Sequence, residues 1–143
     1  ALELHHAIFD INGTLAVNGK PLPNVATSLK SLADLLSIHL LTAGTHGNLK
    51  ELEESLGFSL QIITDGEEKA RYVQQQGAEK VVAFGNGAND AKMLRMAALG
   101  IAVLSSEGVA ISALQAADVL VHTPIDAIEL LLYPKRLIAT LRG

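Results

Sequence analysis

A doubly wound parallel β-sheet with helices on both faces, a three-layer α/β fold, is the architecture this sequence predicts. Short apolar runs recur, Ala7-Ile8-Phe9, Val81 to Phe84 and Ile101 to Leu104, with Ile38 to Leu41 interrupted only by His39. Such runs mark strands buried on both faces, as parallel strands are. Segments of helical periodicity lie between them, so strand and helix alternate. The runs end in turn-forming residues, among them Asn12-Gly13, Ala43-Gly44 and Gly85-Asn86-Gly87. At 143 residues the chain has the size of one domain, and no stretch reads as a linker.

In order, Leu4 to Phe9 forms the first strand and carries Asp10 to its carboxyl end, where Gly13 permits a sharp turn. Leu15 to Leu22 contains Asn18-Gly19, a pair suited to a type I′ turn, and predicts a small hairpin flap beside Asp10. Asn24 is placed to cap a helix with apolar positions Val25, Leu29, Leu32 and Leu36. Ile38 to Leu41 is the second strand, ending in Thr42-Ala43-Gly44. A helix with Leu49, Leu52 and Leu56 on one face follows and stops at Gly57. Leu60 to Ile63 is the third strand, and Thr64-Asp65-Gly66 leads into a helix bearing Lys69 and ending at Gly77. Lys80 to Phe84 is the fourth strand. A helix with Met93, Leu94 and Ala97 then runs to Gly100, Ile101 to Leu104 is the fifth strand, Val109 to Ala117 a helix, and Val119 to Val121 a sixth strand. Two last helical segments meet at Pro134.

Composition narrows the functions available. Apolar residues make up 49% and charged residues 18%, which excludes a disordered chain, and 3% aromatics leave an aliphatic core. A net charge of −4 without a basic cluster argues against nucleic acid as a partner. With no cysteine there is no disulfide framework, thiolate nucleophile or cysteine-ligated zinc. Met96 to Ala117 is apolar, but Gly100 and Ser105-Ser106-Glu107-Gly108 break it, so a strand and a helix are expected there instead of a membrane span. The start does not resemble a signal peptide. The expectation is a soluble, cytoplasmic protein without a membrane partner.

Ligands of open α/β sheets bind beyond the carboxyl ends of the strands. In the predicted order, strand ends bring Asp10 with Asn12, Thr42, and Asn86 with Asp90 to that edge, and Lys69 arrives from the helix after the third strand. A lone aspartate before a turn could be a turn former; the company of the other residues gives it chemistry. A carboxylate can attack phosphorus if a divalent cation and an ammonium cancel the repulsion of the phosphoryl oxygens. Asp10 then serves as nucleophile and Lys69 as ammonium, while Thr42 and the turn amides of Ala43 and Gly44 donate to oxygens. Mg²⁺ suits the remaining oxygen ligands. The histidines, His5, His6, His39, His46 and His122, lack metal-ligand spacing. His46 alone falls in the loop beside the phosphate. Lys80 rivals Lys69 but starts a strand, at the opposite edge, and Lys92 reads as a surface residue. Neither GxGxxG nor GxxxxGK[ST] is present, which disfavours a nucleotide-binding loop.

Asp10-Ile11-Asn12-Gly13-Thr14, then Leu41-Thr42, then Glu68-Lys69, then Gly85-Asn86-Gly87-Ala88-Asn89-Asp90 resemble, in order, the four motifs of the haloacid dehalogenase superfamily. The last motif, with Leu99-Gly100-Ile101-Ala102-Val103 and Ala116-Ala117-Asp118-Val119, resembles the phosphorylation domain of P-type ATPases. Without membrane spans, the chain is similar to the soluble P-type-ATPase-like branch. That resemblance implies a Rossmann-like phosphatase domain acting through an aspartyl phosphate on Asp10. It implies phosphate binding by Thr42, Ala43, Gly44, Lys69 and Asn89, and Mg²⁺ held by Asp10, Asn12, Asn86 and Asp90. The segments 10–42 and 42–69 are too short to hold a cap domain. Capless members resemble one another in closing the site with an oligomer partner or a large substrate. The substrate is therefore a phosphorylated small molecule or protein, and a homo-oligomer is one possibility, for which the apolar positions from Leu130 to Leu141 could serve; packing of that helix on its own sheet explains them equally.

Two departures bear on catalysis. Asn12 stands where phosphatases of the superfamily have the aspartate that acts as acid and base, and an amide can do neither. Asn86 replaces a metal-binding aspartate and removes a full negative charge. The expectation is a slow Mg²⁺-dependent phosphatase; the alternative is a phosphate-binding or regulatory module of the same fold with little or no turnover.

Overall fold

Strand β1 (His6–Asp10) turns Ala7 and Phe9 to one face and Ile8 to the other, and all three are fully buried. Burial on both sides follows from its central place in the sheet. The computed structural model describes residues 2–44 and 47–143. Beyond β1 the strands are the hairpin pair β2 (Ala16–Val17) and β3 (Lys20–Pro21), then β4 (Ser37–Thr42), β5 (Leu60–Ile62), β6 (Val81–Gly85), β7 (Leu99–Val103) and β8 (Val119–Val121). Six of them form one sheet in the order β5-β4-β1-β6-β7-β8, with every neighbouring pair parallel. The chain runs outward from β1 through β4 to β5, then returns to the other side of β1 as β6. The switch point thus lies between β1 and β6, where an open α/β sheet offers its crevice.

Two cores flank the sheet. On the larger, α1 (Val25–Ala33), α2 (Leu49–Leu56), α6 (Pro124–Leu132) and α7 (Pro134–Leu141) supply Leu29, Leu52, Ile128 and Leu137 against Phe9 and Phe84. The two phenylalanine rings stack across β1 and β6 with centroids 4.1 Å apart. On the other face, α3 (Gly66–Gln76), α4 (Ala91–Met96) and α5 (Ile111–Ala116) pack Val73, Met93, Leu94 and Ala113 on Ile8 and Ala83. The three-layer arrangement is as the sequence predicts, and no cap domain is inserted among the described residues. None of the described helices is long and apolar enough to cross a membrane.

Most element boundaries follow the expectation, with two corrections. Gly100 lies inside β7 instead of ending the preceding helix, which stops at Met96. A Cβ at Gly100 would come within 2.5 Å of the Leu94 carbonyl oxygen, so the glycine lets strand and helix approach closely. Asn24 does occupy the cap position of α1, but it sits in the left-handed region (φ 67°) and its side chain makes no capping bond. The hairpin turn has positive φ at both Asn18 and Gly19, as a type I′ turn requires.

At the amino edge of the sheet, β1, β4 and α3 are joined by a chain of polar rings. His6 Nδ1 lies 3.0 Å from His39 Nε2, and His39 Nδ1 lies 2.7 Å from the Tyr72 hydroxyl. Burial, and then the neighbouring His6, lower the His39 pKa below its ordinary value of 6.5. The folded protein therefore holds His39 neutral, while the unfolded chain takes up the proton more readily. The stability this confers is complete above 6.5 and is lost as the pH falls through the depressed folded value. Urea unfolding across this range should show stability declining on acidification, with a smaller decline in His39→Gln.

Candidate active site

Asp10 ends β1 on the face that Ile8 shares, and that face carries α3. Asp65 caps the amino end of α3 by accepting the Glu68 N–H at 2.8 Å, a bond that holds its carboxyl below the usual range. One turn into that helix, Lys69 points inward and is only 1% exposed. Its ammonium donates to Asp10 Oδ1 at 2.8 Å and to Asp90 Oδ1 at 2.7 Å. One cation thus serves two buried carboxylates, and the cluster is net negative. Burial first, and the Asp90 charge second, push the Asp10 carboxyl up to about 7 against the opposing pull of Lys69; Glu107 adds to the rise. Burial acts to lower the Lys69 pKa, but Asp10 and Asp90 outweigh it and raise it, so the amine stays charged.

Asp90 corrects one expectation. Its Oδ2 accepts the backbone N–H groups of Asn86 and Gly87, each at 3.0 Å, while Oδ1 is held by Lys69. Both oxygens are engaged inside the protein and the residue is fully buried, so Asp90 is not presented as a metal ligand. It positions the lysine and shapes the loop after β6. Gly85 makes this possible, because a Cβ there would meet the Asp90 carboxyl at 2.6 Å.

Thr42 ends β4 beside β1 and is buried. Its Oγ1 accepts the Gly44 N–H at 3.2 Å, which leaves the hydroxyl proton for a ligand oxygen. Gly44 therefore supports Thr42 and does not itself present a free amide, a second correction. Ala43 lies half-buried between them. Asn12 is half-buried in the turn after β1. Asn89 is exposed, and its Oδ1 would lie 3.0 Å from a Cβ at Gly87, over the loop. His46 lies outside the described residues. Lys80 is exposed just before β6, at the far edge, and exposed Lys92 pairs with Glu67. The preference for Lys69 over both rivals agrees with this placement.

Asn86 follows β6, with its amide against Gly13. Its Nδ2 donates to the Gly108 carbonyl at 3.2 Å, which orients Oδ1 as the free acceptor. The turn that supplies this carbonyl, Ser105 to Gly108, was legible in the sequence only as a break. Its place after β7, at the same sheet edge as Asp10, is the signal that could have marked it. Among the described residues no group of three or more His, Cys, Asp or Glu side chains could hold a metal. A cation here would draw on the Asp10 carboxylate, Asn86 Oδ1 and water. These are hard oxygen donors in a net negative cluster, and they fit a magnesium-type ion that keeps several waters.

Removing Lys69 strands two buried carboxylates. Lys69→Met is expected to destabilise the protein by about 3–5 kcal/mol near neutral pH, measured by denaturant unfolding. A midpoint equal to wild type would show that the triad is not desolvated.

The haloacid dehalogenase-like hydrolase family matches residues 26–124. The chain belongs to that family. The matched span includes Thr42, Lys69, Asn86 and Asp90 but begins after Asp10, so Asp10 enters the site through its contact with Lys69. A copper-exporting P-type ATPase of Staphylococcus aureus is 31% identical over 138 residues, 92% of this chain but 16% of the transporter. Nearly the whole chain is thus similar to a minor part of that P-type ATPase. An uncharacterised protein of Methanocaldococcus jannaschii is 42% identical over 64 residues, 45% of this chain and 69% of that one. Among solved structures, a haloacid dehalogenase superfamily (subfamily III A) protein from Legionella pneumophila aligns with TM-score 0.75 at 17% identity, covering 98% of this chain and 88% of that one. The 3-deoxy-D-manno-octulosonate 8-phosphate phosphatase of Moraxella catarrhalis, in complex with magnesium, phosphate and its sugar acid, aligns with TM-score 0.73 at 16% identity, covering 97% and 94%. These last two likenesses establish the fold that the family members share.

Proposed function

We propose that this family member hydrolyses phosphoric monoesters slowly, through an aspartyl phosphate on Asp10. The observation that carries the reading is the buried ammonium of Lys69 held between Asp10 and Asp90. Lys69 binds Asp10 Oδ1, leaving Oδ2 without a partner among the described residues and open to phosphorus. In the first step Oδ2 forms a bond to phosphorus as the ester oxygen departs with the bonding pair. Lys69 offsets charge on the phosphoryl oxygens, and the Thr42 hydroxyl donates to one of them. Water then attacks the same phosphorus, releasing phosphate and restoring the carboxylate. Asp10 and Asn86 would hold Mg²⁺, whose role is to neutralise phosphoryl charge; the magnesium and phosphate in the Moraxella neighbour support that assignment.

Asn12 supplies no proton to the leaving oxygen and takes none from the water, which accounts for slow turnover. The same substitution supports a second reading, in which the domain binds a phosphoryl group and retains it, acting on a phosphorylated small molecule or protein without turning it over. Phosphate release from a small aryl phosphate, with Mg²⁺ and with EDTA, separates the two. Release that requires Mg²⁺ supports the hydrolase, whereas tight phosphate binding without release supports the module.

A further inference from the structure

We infer that Glu107, at the tip of the turn after β7, holds the hydrated cation of the candidate site through its water and replaces the charge that Asn86 lacks. This rests on the proposed cation site at Asp10. The turn is a built feature. Gly108 N–H donates to the Ser105 carbonyl at 2.9 Å, Glu107 N–H donates to Ser105 Oγ at 3.1 Å, and Gly108 adopts φ +86°. It is fixed to Asn86 from two directions: Asn86 Nδ2 donates to the Gly108 carbonyl at 3.2 Å, and Ala110 N–H donates to the Asn86 carbonyl at 2.8 Å. Glu107 therefore stands one residue from the group that orients the Asn86 amide.

Its side chain is exposed and no described lysine or arginine pairs with it. Its charge adds to the rise of the Asp10 carboxyl, behind burial and Asp90. It does not join Asp10 and Asp90 in a direct ligand set. A contact through water is the mode open to it, and it suits an ion that gives up its hydration shell reluctantly. Glutamate here restores an anionic charge to the site while Asn86 keeps an oxygen donor in place. Carboxylates acting from outside the ligand shell typically change metal affinity by about 10–100-fold.

The test is cation binding, read by the electron paramagnetic resonance of free Mn²⁺ and by calorimetry with Mg²⁺. Four proteins are compared: wild type, Asp10→Asn, Glu107→Gln, and Glu107→Gln combined with Asn86→Asp. The expected result is loss of binding in Asp10→Asn, roughly tenfold weaker binding in Glu107→Gln, and recovery in the double variant. The thermal midpoint in EDTA should not differ between wild type and Glu107→Gln, since the side chain is exposed. Wild-type affinity in Glu107→Gln, with binding still lost in Asp10→Asn, overturns the role of Glu107 alone. Wild type that binds no cation, or binding that Asp10→Asn leaves intact, overturns the underlying site as well.

Discussion

Asp10→Asn is expected to abolish phosphate release from a small aryl phosphate, to prevent trapping by beryllium fluoride, and to make the protein more stable in EDTA above pH 7. The first two effects follow from removing the attacking oxygen. The third follows from electrostatics. Burial and Asp90 raise the Asp10 pKa from 3.8 to about 7. The folded state therefore binds a proton that the unfolded chain has already released, and stability falls as the pH rises from about 4 through 7. An amide at position 10 removes that penalty, by on the order of a few kcal/mol at most, and leaves Lys69 paired with Asp90 alone. Activity assays and thermal unfolding at several pH values check both parts. A variant that keeps the wild-type rate would exclude Asp10 as the nucleophile. One that unfolds earlier than wild type at alkaline pH would show that Lys69 binds Asp10 more strongly than burial disfavours it.

The second large effect is a gain. Asn12→Asp is expected to raise turnover by ~10²–10⁴, the usual contribution of general acid–base catalysis. Asn12 is half-buried at the turn after β1, so a carboxylate fits there without repacking the core. Rapid-quench measurements of the phosphoenzyme should show a shorter lifetime in this variant. Unchanged turnover would mean that a different step, such as phosphate departure, limits the protein.

The alternation of strands and helices was legible because parallel strands buried on both faces leave uninterrupted apolar runs, as Ala7 to Phe9 and Val81 to Phe84 do. Asp10 and Lys69 could be named in advance because each stands next to an element boundary that fixes where it points. Asp90 was misread for an equally physical reason. Its partners are an ammonium far away in sequence and two backbone N–H groups, and only the folded loop shows that both oxygens are occupied. Gly44 is similar, since nothing in its neighbours announces that its N–H turns back to Thr42. The His6–His39–Tyr72 chain joins residues from two strands and a helix, and none of them carries a local signal for the others.

The bare carboxyl edge of the sheet has a consequence for timing. Without an inserted lid among the described residues, an acyl phosphate formed on the buried Asp10 would meet only the water that reaches the strand end, for as long as it survived. Its half-life would then be governed by whether the neighbouring turn can activate that water, so that a sluggish hydrolase and a phosphorylation-based timer differ by one side chain, an amide or an acid at position 12.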